Sequence, residues 1–456
     1  MTAMSIETIH MRHGLDFSNT RHLAKDRDGT AATPHGDLGP PGEREGMVLY
    51  LMVDAARRAL ARGPQFSFPN GHPEPRRPMK LLFTNFHDGD GGGHTTYILG
   101  LARGLAARHS VHVAAPPGSR LNREARGIAG VQVLDQPFPN GLGRLPARRR
   151  ARRQLAAYLR RERFDVVHVN GSADHRLAMS ALRGIRPRPA IVLTKHNSKP
   201  LTGIGHLWRA RFGTDQVIAV CDFVRRQVQA SPYARCRIAT VFNGVDIERF
   251  APSALDPVSR ASWLEPAASA EPLLIGSNAG TARYKGWMDL VEALASLPPE
   301  RRSRLRVVLA GGLPNAEDVA RIDALGVAAQ VHFTGRLGDV RPMVAALDAG
   351  FVLSWDVETI SFACREMMAM GKPVLVSDYA GLPENIHAGA DGWIVPARNR
   401  EAIAAALSGM LDDRAALPAM GQAARAHAEA EFGMDRFVSA TEAVYAALVR
   451  DLSSKA

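Results

Sequence analysis

Two carboxylates stand eight residues apart in the stretch WDVETISFACREMMAMGKPVLVSDYAGLPENI, namely Glu358 and Glu366, across a loop-to-helix transition. Near a helix start, such carboxylates serve the helix dipole. Alternatively, a fixed pair accepts hydrogen bonds from a polyhydroxylated ligand and discriminates between hydroxyl patterns. Far upstream, Gly91, Gly92 and Gly93 follow a strand-like run and open a helix-like one. Missing side chains there let backbone amides approach an anion, though a tight turn uses the same residues. The spacing is not the dinucleotide fingerprint, and no acidic residue ends the second strand to hold a ribose. Asp88-Gly89-Asp90 spells an Asp-x-Asp, but no further oxygen ligands cluster nearby, and no metal is expected.

These residues need a frame, and the chain supplies an alternation of short apolar runs with helical stretches. Strands are expected at Leu81–Phe86, Val111–Ala115, Val131–Leu134, Val166–Asn170, Ile191–Lys195, Val217–Val220 and Ala239–Val241. A second series runs through Leu274–Ser277, Val307–Ala310, Val331–Thr334, Gly350–Leu353, Pro373–Val376 and Gly392–Val395. Such alternation implies parallel sheets covered on both faces, hence an α/β chain of two doubly wound domains. We place the first at 79–250, completed by a last helix near 437–453, and the second at 251–436, with Ala251–Pro272 as connector. Ligands bind beyond the carboxyl ends of such strands, so the cleft between the domains is the expected site. Residues 1–78, rich in Gly and Pro, read as a poorly structured extension, with Met79 as the expected working start.

Composition bounds the class. The 456 residues, 46% hydrophobic and 22% charged, fit a globular protein. No apolar run is long enough to span a bilayer, the N-terminus lacks a signal-like core, and Cys221, Cys236 and Cys364 form no ligand or disulfide pattern. The reading is a reduced, cytoplasmic protein. The net charge of +12 is uneven: residues 79–250 hold 28 basic and 11 acidic side chains, residues 251–456 hold 19 and 25. Much of the excess lies in RLPARRRARRQLAAYLRRER, Arg144–Arg163, where Leu145, Leu155, Tyr158 and Leu159 share one side of a helix. Arg148, Arg149, Arg152 and Arg153 then face an anionic membrane, or the helix is simply a solvated surface. No zinc-finger spacing, RNP-type motif or helix-turn-helix accompanies the charge, so nucleic acid is not the expected partner.

The glutamate-bearing segment resembles the Glu-x7-Glu block of family 4 glycosyltransferases, retaining enzymes of the GT-B fold. Further stretches match in order: GGGHTTYILGLARGLA, DVVHVNG, LTKHN, VIAVCDFVRRQV, VFNGVDIERF, YKGWMDLVEAL, VVLAGG and VHFTGRLGDV. The resemblance covers Met79 to the C-terminus. It implies that Glu366 binds the ribose of a nucleotide-sugar donor and Glu358 the hydroxyls of the transferred sugar. Amides of Ser361, Phe362 and Ala363 would meet the sugar and diphosphate, and Lys285 would neutralise the leaving diphosphate. His332–Leu337 would seat the base, Gly91–Gly93 would approach the donor phosphates, and His196 would stand near the reacting sugar.

The sequence departs from the family in four places. Gly280 stands where an arginine is usual, and Arg283 is the nearest substitute; Thr359 and Ser361 replace glycines, and Cys221 a serine. The resemblance implies a retaining hexosyl-type transferase without a resident cofactor or metal. Its acceptor would be a lipid-linked or envelope glycan, of lipopolysaccharide or surface-polysaccharide type, at the inner membrane face. The alternatives are a catalytically impaired GT-B scaffold, motivated by Gly280, and a transferase acting on a soluble acceptor. A Rossmann dehydrogenase fits the alternation but not the glycine spacing. Nothing in the residues fixes the donor sugar, the linkage or the oligomeric state.

Overall fold

Every residue of β1, Lys80–Thr84, after its lysine is buried, and the strand pairs in parallel on both sides, with β2 (Ser110–Ala115) and β4 (Val166–Val169). This computed structural model describes residues 77–252, 260, 263 and 272–454, all within one compact unit, Pro75–Ala456. The expected extension, but for Arg77 and Pro78, and most of the expected connector lie outside the described residues.

The first sheet has seven parallel strands in the order β3-β2-β1-β4-β5-β6-β7, adding β3 (Val131–Asp135), β5 (Ala190–Lys195), β6 (Gln216–Ala219) and β7 (Arg237–Thr240). The second has six in the order β10-β9-β8-β11-β12-β13: β8 Leu273–Ser277, β9 Leu305–Ala310, β10 Val331–Gly335, β11 Ala349–Val352, β12 Val374–Ser377 and β13 Gly392–Val395. Both orders reverse beside their first strand, the point at which a doubly wound sheet opens a binding crevice. The thirteen strands fall on the thirteen expected runs, shifted by at most two residues at an end. Parallel pairing requires crossovers, and the helices these provide bury both sheet faces, which explains the near-continuous apolar runs.

On one face of the first sheet, helices Gly92–Leu105 and Arg120–Arg126 pack with the last helix, Met434–Ser453, through Ile98, Leu101, Leu121, Phe437 and Tyr445. Gly104 permits this approach, because a Cβ there would lie 2.4 Å from Val438. Tyr445 is hydrogen-bonded to His168 on β4, and Thr194 on β5 joins His168 to Tyr97. The chain crosses between the two sheets at Val245 and again at Gly433, where the two segments are bridged and Val245 N donates to Phe432 O at 2.8 Å.

The opposite face carries helices Leu145–Glu162, Ser172–Ala181 and Ile204–Phe212, the middle one packed against both others. This corrects one expectation. Leu155, Tyr158 and Leu159 are core residues at 0%, 8% and 2% exposure, and only Leu145 stays outside. The sheet needs that apolar face, so of its large apolar side chains the arginine-rich helix leaves only Leu145 beside the exposed arginines.

Candidate active site

The cleft between the sheets holds a cavity of about 780 Å³, lined from the first domain by the ends of β4 and β5 and the glycine turn, and from the second by Tyr284, Lys285 and residues 357–362. Among the expected site residues, Gly91, Gly93, His196, Lys285, Glu358, Ser361 and Phe362 line it. Gly92, Ala363, Glu366 and Arg283 do not, and Arg148, Arg149 and Arg152 line a separate groove.

The glycine turn is shaped for close approach. Gly91 has φ +70, and a Cβ on it would lie 2.3 Å from Thr95 Oγ1, so no larger residue fits. Across the cleft, the Phe362 ring lies 3.4 Å from where a Cβ on Gly93 would sit. The turn and the start of helix Phe362–Ala369 therefore meet with little room between them.

Opposite, Lys285 sits at the end of a short 3₁₀ turn, Arg283–Lys285, and its Nζ donates to Glu358 Oε2 at 2.6 Å. Both side chains are mostly shielded, at 17% and 13% exposure, so the pair is a defined feature of the cavity wall rather than a loose surface bridge. Thr359 Oγ1 donates to the His196 carbonyl at 3.0 Å, joining the domains at the cavity. Ser361, at the helix start, has φ +48, a conformation suited to glycine and strained for serine. That strain fits the departure noted above, since the family usually has glycine here.

Glu366, one turn further along the helix, accepts from Asn278 Nδ2 at 2.6 Å. Burial pushes its carboxyl up to about 7, against the opposing pull of Asn278 and Arg249. Beside it, Arg365 is fully buried, donating to Asn385 Oδ1 and the Asn243 carbonyl and lying over the Phe432 ring. It locks the Glu366 helix to the crossing segment; burial pulls its guanidinium down to about 10.

His196 lies at the floor of the first domain's side. Its Nε2 is 2.8 Å from Asn170 Oδ1. Asn170 Nδ2 gives its protons to the carbonyls of Thr84 and His168, which fixes the amide orientation, so His196 Nε2 is the donor and Nδ1 the free acceptor. Burial and the neighbouring His94 hold its pKa well below 6.5, which makes the imidazole neutral at physiological pH. Asn170 is in turn set by Asp174, whose Oδ2 accepts from Asn170 N and Thr84 Oγ1, both at 2.8 Å.

Several cleft residues escaped the sequence reading. His94 lies against His196 with ring centroids 4.2 Å apart and planes tilted by 35°, and its pKa is driven down to about 3, chiefly by burial. Lys195 donates to the Asn197 and Lys199 carbonyls and Asn197 Oδ1 within 2.7 Å, and burial lowers it to about 8. The HTTY and LTKHN stretches carry both side chains, but only the fold shows that they face one cavity.

Arg283, expected near the donor, instead binds Asp318 at 2.9 Å and Glu317 at 3.6 Å. Gly280 has φ +88, and nothing lies within 4 Å of where a Cβ on it would sit. The missing arginine therefore leaves open space and a backbone unsuited to replacing it. Asp90 of the Asp-Gly-Asp turns toward Arg120 at 3.3 Å. Among the described residues, one group of possible metal ligands stands together, His387, Asp391 and His427, and none of the three lines the cleft.

Residues 91–249 match the family model "Glycosyltransferase Family 4", and residues 265–427 match "Glycosyl transferases group 1". The chain belongs to the family 4, group 1 glycosyltransferases. This glycosyltransferase is 28% identical over 429 residues to a D-inositol 3-phosphate glycosyltransferase of Streptomyces scabiei, covering 82% of this chain and 93% of that one. It is also 28% identical over 375 residues to a GDP-mannose-dependent alpha-(1-6)-phosphatidylinositol monomannoside mannosyltransferase of Mycobacterium tuberculosis, covering 78% and 94%. A glycosyltransferase structure from Rickettsia africae superposes with a TM-score of 0.70 at 18% identity, over 82% of this chain and 99% of that one, and shows the shared GT-B fold.

Proposed function

We propose that this glycosyltransferase moves a sugar, with retention of configuration, from a nucleotide-sugar to a phosphate-bearing glycan acceptor held at an anionic membrane surface. The observation that carries the reading is the convergence of Lys285, Glu358 and the Ser361 helix start on one wall of the cleft, with Glu366 one turn behind.

In this reading Glu366 accepts hydrogen bonds from the donor ribose, and Glu358 from the hydroxyls of the transferred sugar. As the bond from sugar to diphosphate breaks, negative charge grows on the departing oxygen. Lys285 and the amides of Ser361, Phe362 and Ala363 stabilise it, as fixed dipoles and charges do in a shielded site. The acceptor hydroxyl attacks from the side the diphosphate leaves, and its proton passes to that diphosphate. His196, neutral and pinned by Asn170, positions the sugar rather than transferring a proton. With Gly280 in place of arginine and Arg283 tied to Asp318, Lys285 carries the cationic part of this work, without a resident metal. Gly91 and Gly93 close on the phosphates from the other domain.

The acceptor side is argued from charge. The excess of 17 positive charges in residues 79–250 lies in the domain facing the acceptor. The two relatives named above bear acceptors, by their names, built on inositol phosphate or phosphatidylinositol. The first of these names also favours a second reading, a small soluble phosphorylated acceptor. A thermal-shift panel of UDP-, GDP- and ADP-sugars tests the donor half: a true donor raises Tm by mass action in the wild type and not in Glu366→Ala. No Tm response to any nucleotide-sugar rejects the reading.

A further inference from the structure

Helix Ile204–Phe212 is built inside out. Its inward side carries Arg209 and Ala210, both buried, with Arg209 Nε donating to Tyr233 OH at 3.3 Å. His206 and Arg209 line the cleft cavity. Its outward side carries Ile204, Leu207, Trp208 and Phe212, exposed by 78%, 51%, 51% and 56%. The spacing i, i+3, i+4, i+8 puts these four on one stripe. Trp208 and Phe212 rings lie 4.4 Å apart, and the Arg211 guanidinium covers Phe212. Single exposed apolar residues need no explanation, but four on one nine-residue helix do. Of the ten large hydrophobic side chains exposed among the described residues, these are four.

What surrounds the stripe says what covers it. Helix Ser172–Ala181 separates this helix from the arginine-rich one and packs against both, so all three share one face of the domain. Arg148, Arg149, Arg152 and Arg176 line a groove between the arginine-rich helix and helix Ser172–Ala181, together with Pro139, Leu145 and Leu177. Among the described residues no carboxylate pairs with any of the four arginines. Arg176 is pulled below its usual range by burial and by Arg209 and Arg148, against the smaller opposing pull of the buried Asp174. A protein partner of ordinary composition, or a second copy of this chain bringing its own arginines, would not match a face of guanidiniums without carboxylates beside an apolar stripe. An anionic bilayer does: phosphates meet the arginines while tryptophan, phenylalanine and aliphatic side chains enter the headgroup boundary.

We propose that Ile204, Leu207, Trp208 and Phe212 form the element that inserts into an anionic bilayer, with the arginine-lined groove beside them holding lipid phosphates. This rests on the membrane-surface acceptor reading and names the contact that reading requires. The arginine-rich helix alone gives salt-sensitive adsorption, since its apolar side is in the core. Helix Ile204–Phe212 adds the apolar contact that survives salt, and through His206 and Arg209 it ties the bilayer surface to the cleft.

The test uses the full chain with vesicles of phosphatidylglycerol and phosphatidylcholine in equal parts, and of phosphatidylcholine alone. The wild type should sediment with the anionic vesicles, retain part of that binding at high salt, and show a blue shift of tryptophan emission that Trp208→Phe removes. Replacing Ile204, Leu207, Trp208 and Phe212 together by serine should weaken partitioning by about tenfold or more and abolish the salt-resistant part. Replacing the four arginines by glutamine should remove the salt-sensitive part of the adsorption and leave the weaker, salt-resistant part. The four apolar side chains, Arg149 and Arg152 are exposed and Arg148 and Arg176 half-buried, and unchanged circular dichroism and Tm show that the variants fold. Equal sedimentation of the serine variant and the wild type overturns the proposal. So does a wild type that ignores vesicles but dimerises in solution through the stripe. Nucleoside diphosphate release in vesicle-free buffer is read in parallel. Its absence from a wild type that still inserts would defeat the transferase reading and leave the anchor standing.

Discussion

Lys285 Nζ and Glu358 Oε2 lie 2.6 Å apart in the wall of the cleft, so the cation and the carboxylate to which we assign the leaving diphosphate and the transferred sugar hold one another. The pair fixes both groups before a donor arrives, and a bound diphosphate competes for the lysine. Removing either partner loses its own contact and frees the other. Lys285→Ala and Glu358→Ala should each lower kcat/KM by about 100-fold, on the order of 2–4 kcal/mol, in steady-state assays with the fold retained. Lys285→Arg, which keeps the charge but not the compact ammonium, should recover part of the loss.

Glu366 sets a pH dependence. Its folded pKa of about 7 lies above the ordinary 4.5 because burial favours the neutral acid. The folded state therefore holds this proton more tightly than the unfolded chain does. The penalty for ionising it is absent below pH 4.5, grows as pH rises toward 7, and is complete above that. Glu366→Gln should thus stabilise the protein relative to wild type at pH 8, by at most about 3 kcal/mol and seen as a higher Tm, and leave Tm nearly unchanged near pH 4.5. Donor affinity should move the other way, tightening between pH 6 and 8 by up to about tenfold as the carboxylate forms. Isothermal titration at the two pH values reads it.

Ser361 holds φ +48 at the helix start. Glycine takes that conformation without a steric penalty and retains the amide that the mechanism uses. Ser361→Gly should stabilise the protein by about 1 kcal/mol, the relieved strain outweighing the extra backbone entropy of glycine in the unfolded chain. Urea unfolding with an unchanged m-value measures it.

The strands were readable because parallel pairing buries both faces, leaving apolar runs such as Leu81–Phe83 and Val374–Val376 with little ambiguity. Glu358, Glu366 and the glycine turn stand out by residue type and spacing and Lys285 by the family resemblance, and the fold brings Glu358, Lys285, Gly91 and Gly93 to one cavity. What the chain concealed was direction. Leu155, Tyr158 and Leu159 look free beside nine arginines in Arg144–Arg163, yet they belong to the core, whereas Ile204, Leu207, Trp208 and Phe212 look like core and lie outside. Helical periodicity reports that two faces differ; only the packed neighbours decide which one is buried. Arg283 shows the same limit, since its nearness to Gly280 in sequence does not outweigh Asp318, 35 residues away.

Glu384 joins the domains away from the glutamate pair. Its two oxygens accept from Asp222 N and Phe223 N, each at 2.7 Å, at the start of helix Asp222–Gln229. A carboxylate of the second domain thus caps a helix of the first. Glu384→Ala should cost about 1–2 kcal/mol, seen as a lower Tm and faster hydrogen exchange at those two amides. The conservative Glu384→Gln should lose less.

The most direct measurement is the turnover of a nucleotide-sugar chosen by thermal shift, with the anomeric configuration of the product read by NMR, in the wild type and in Glu358→Ala and Glu366→Ala. The expected result is a product with the donor's own configuration and a fall of about two orders of magnitude in both variants at unchanged fold. An inverted product, or wild-type turnover in both variants, would contradict the roles given to the two glutamates and the retaining transfer they serve.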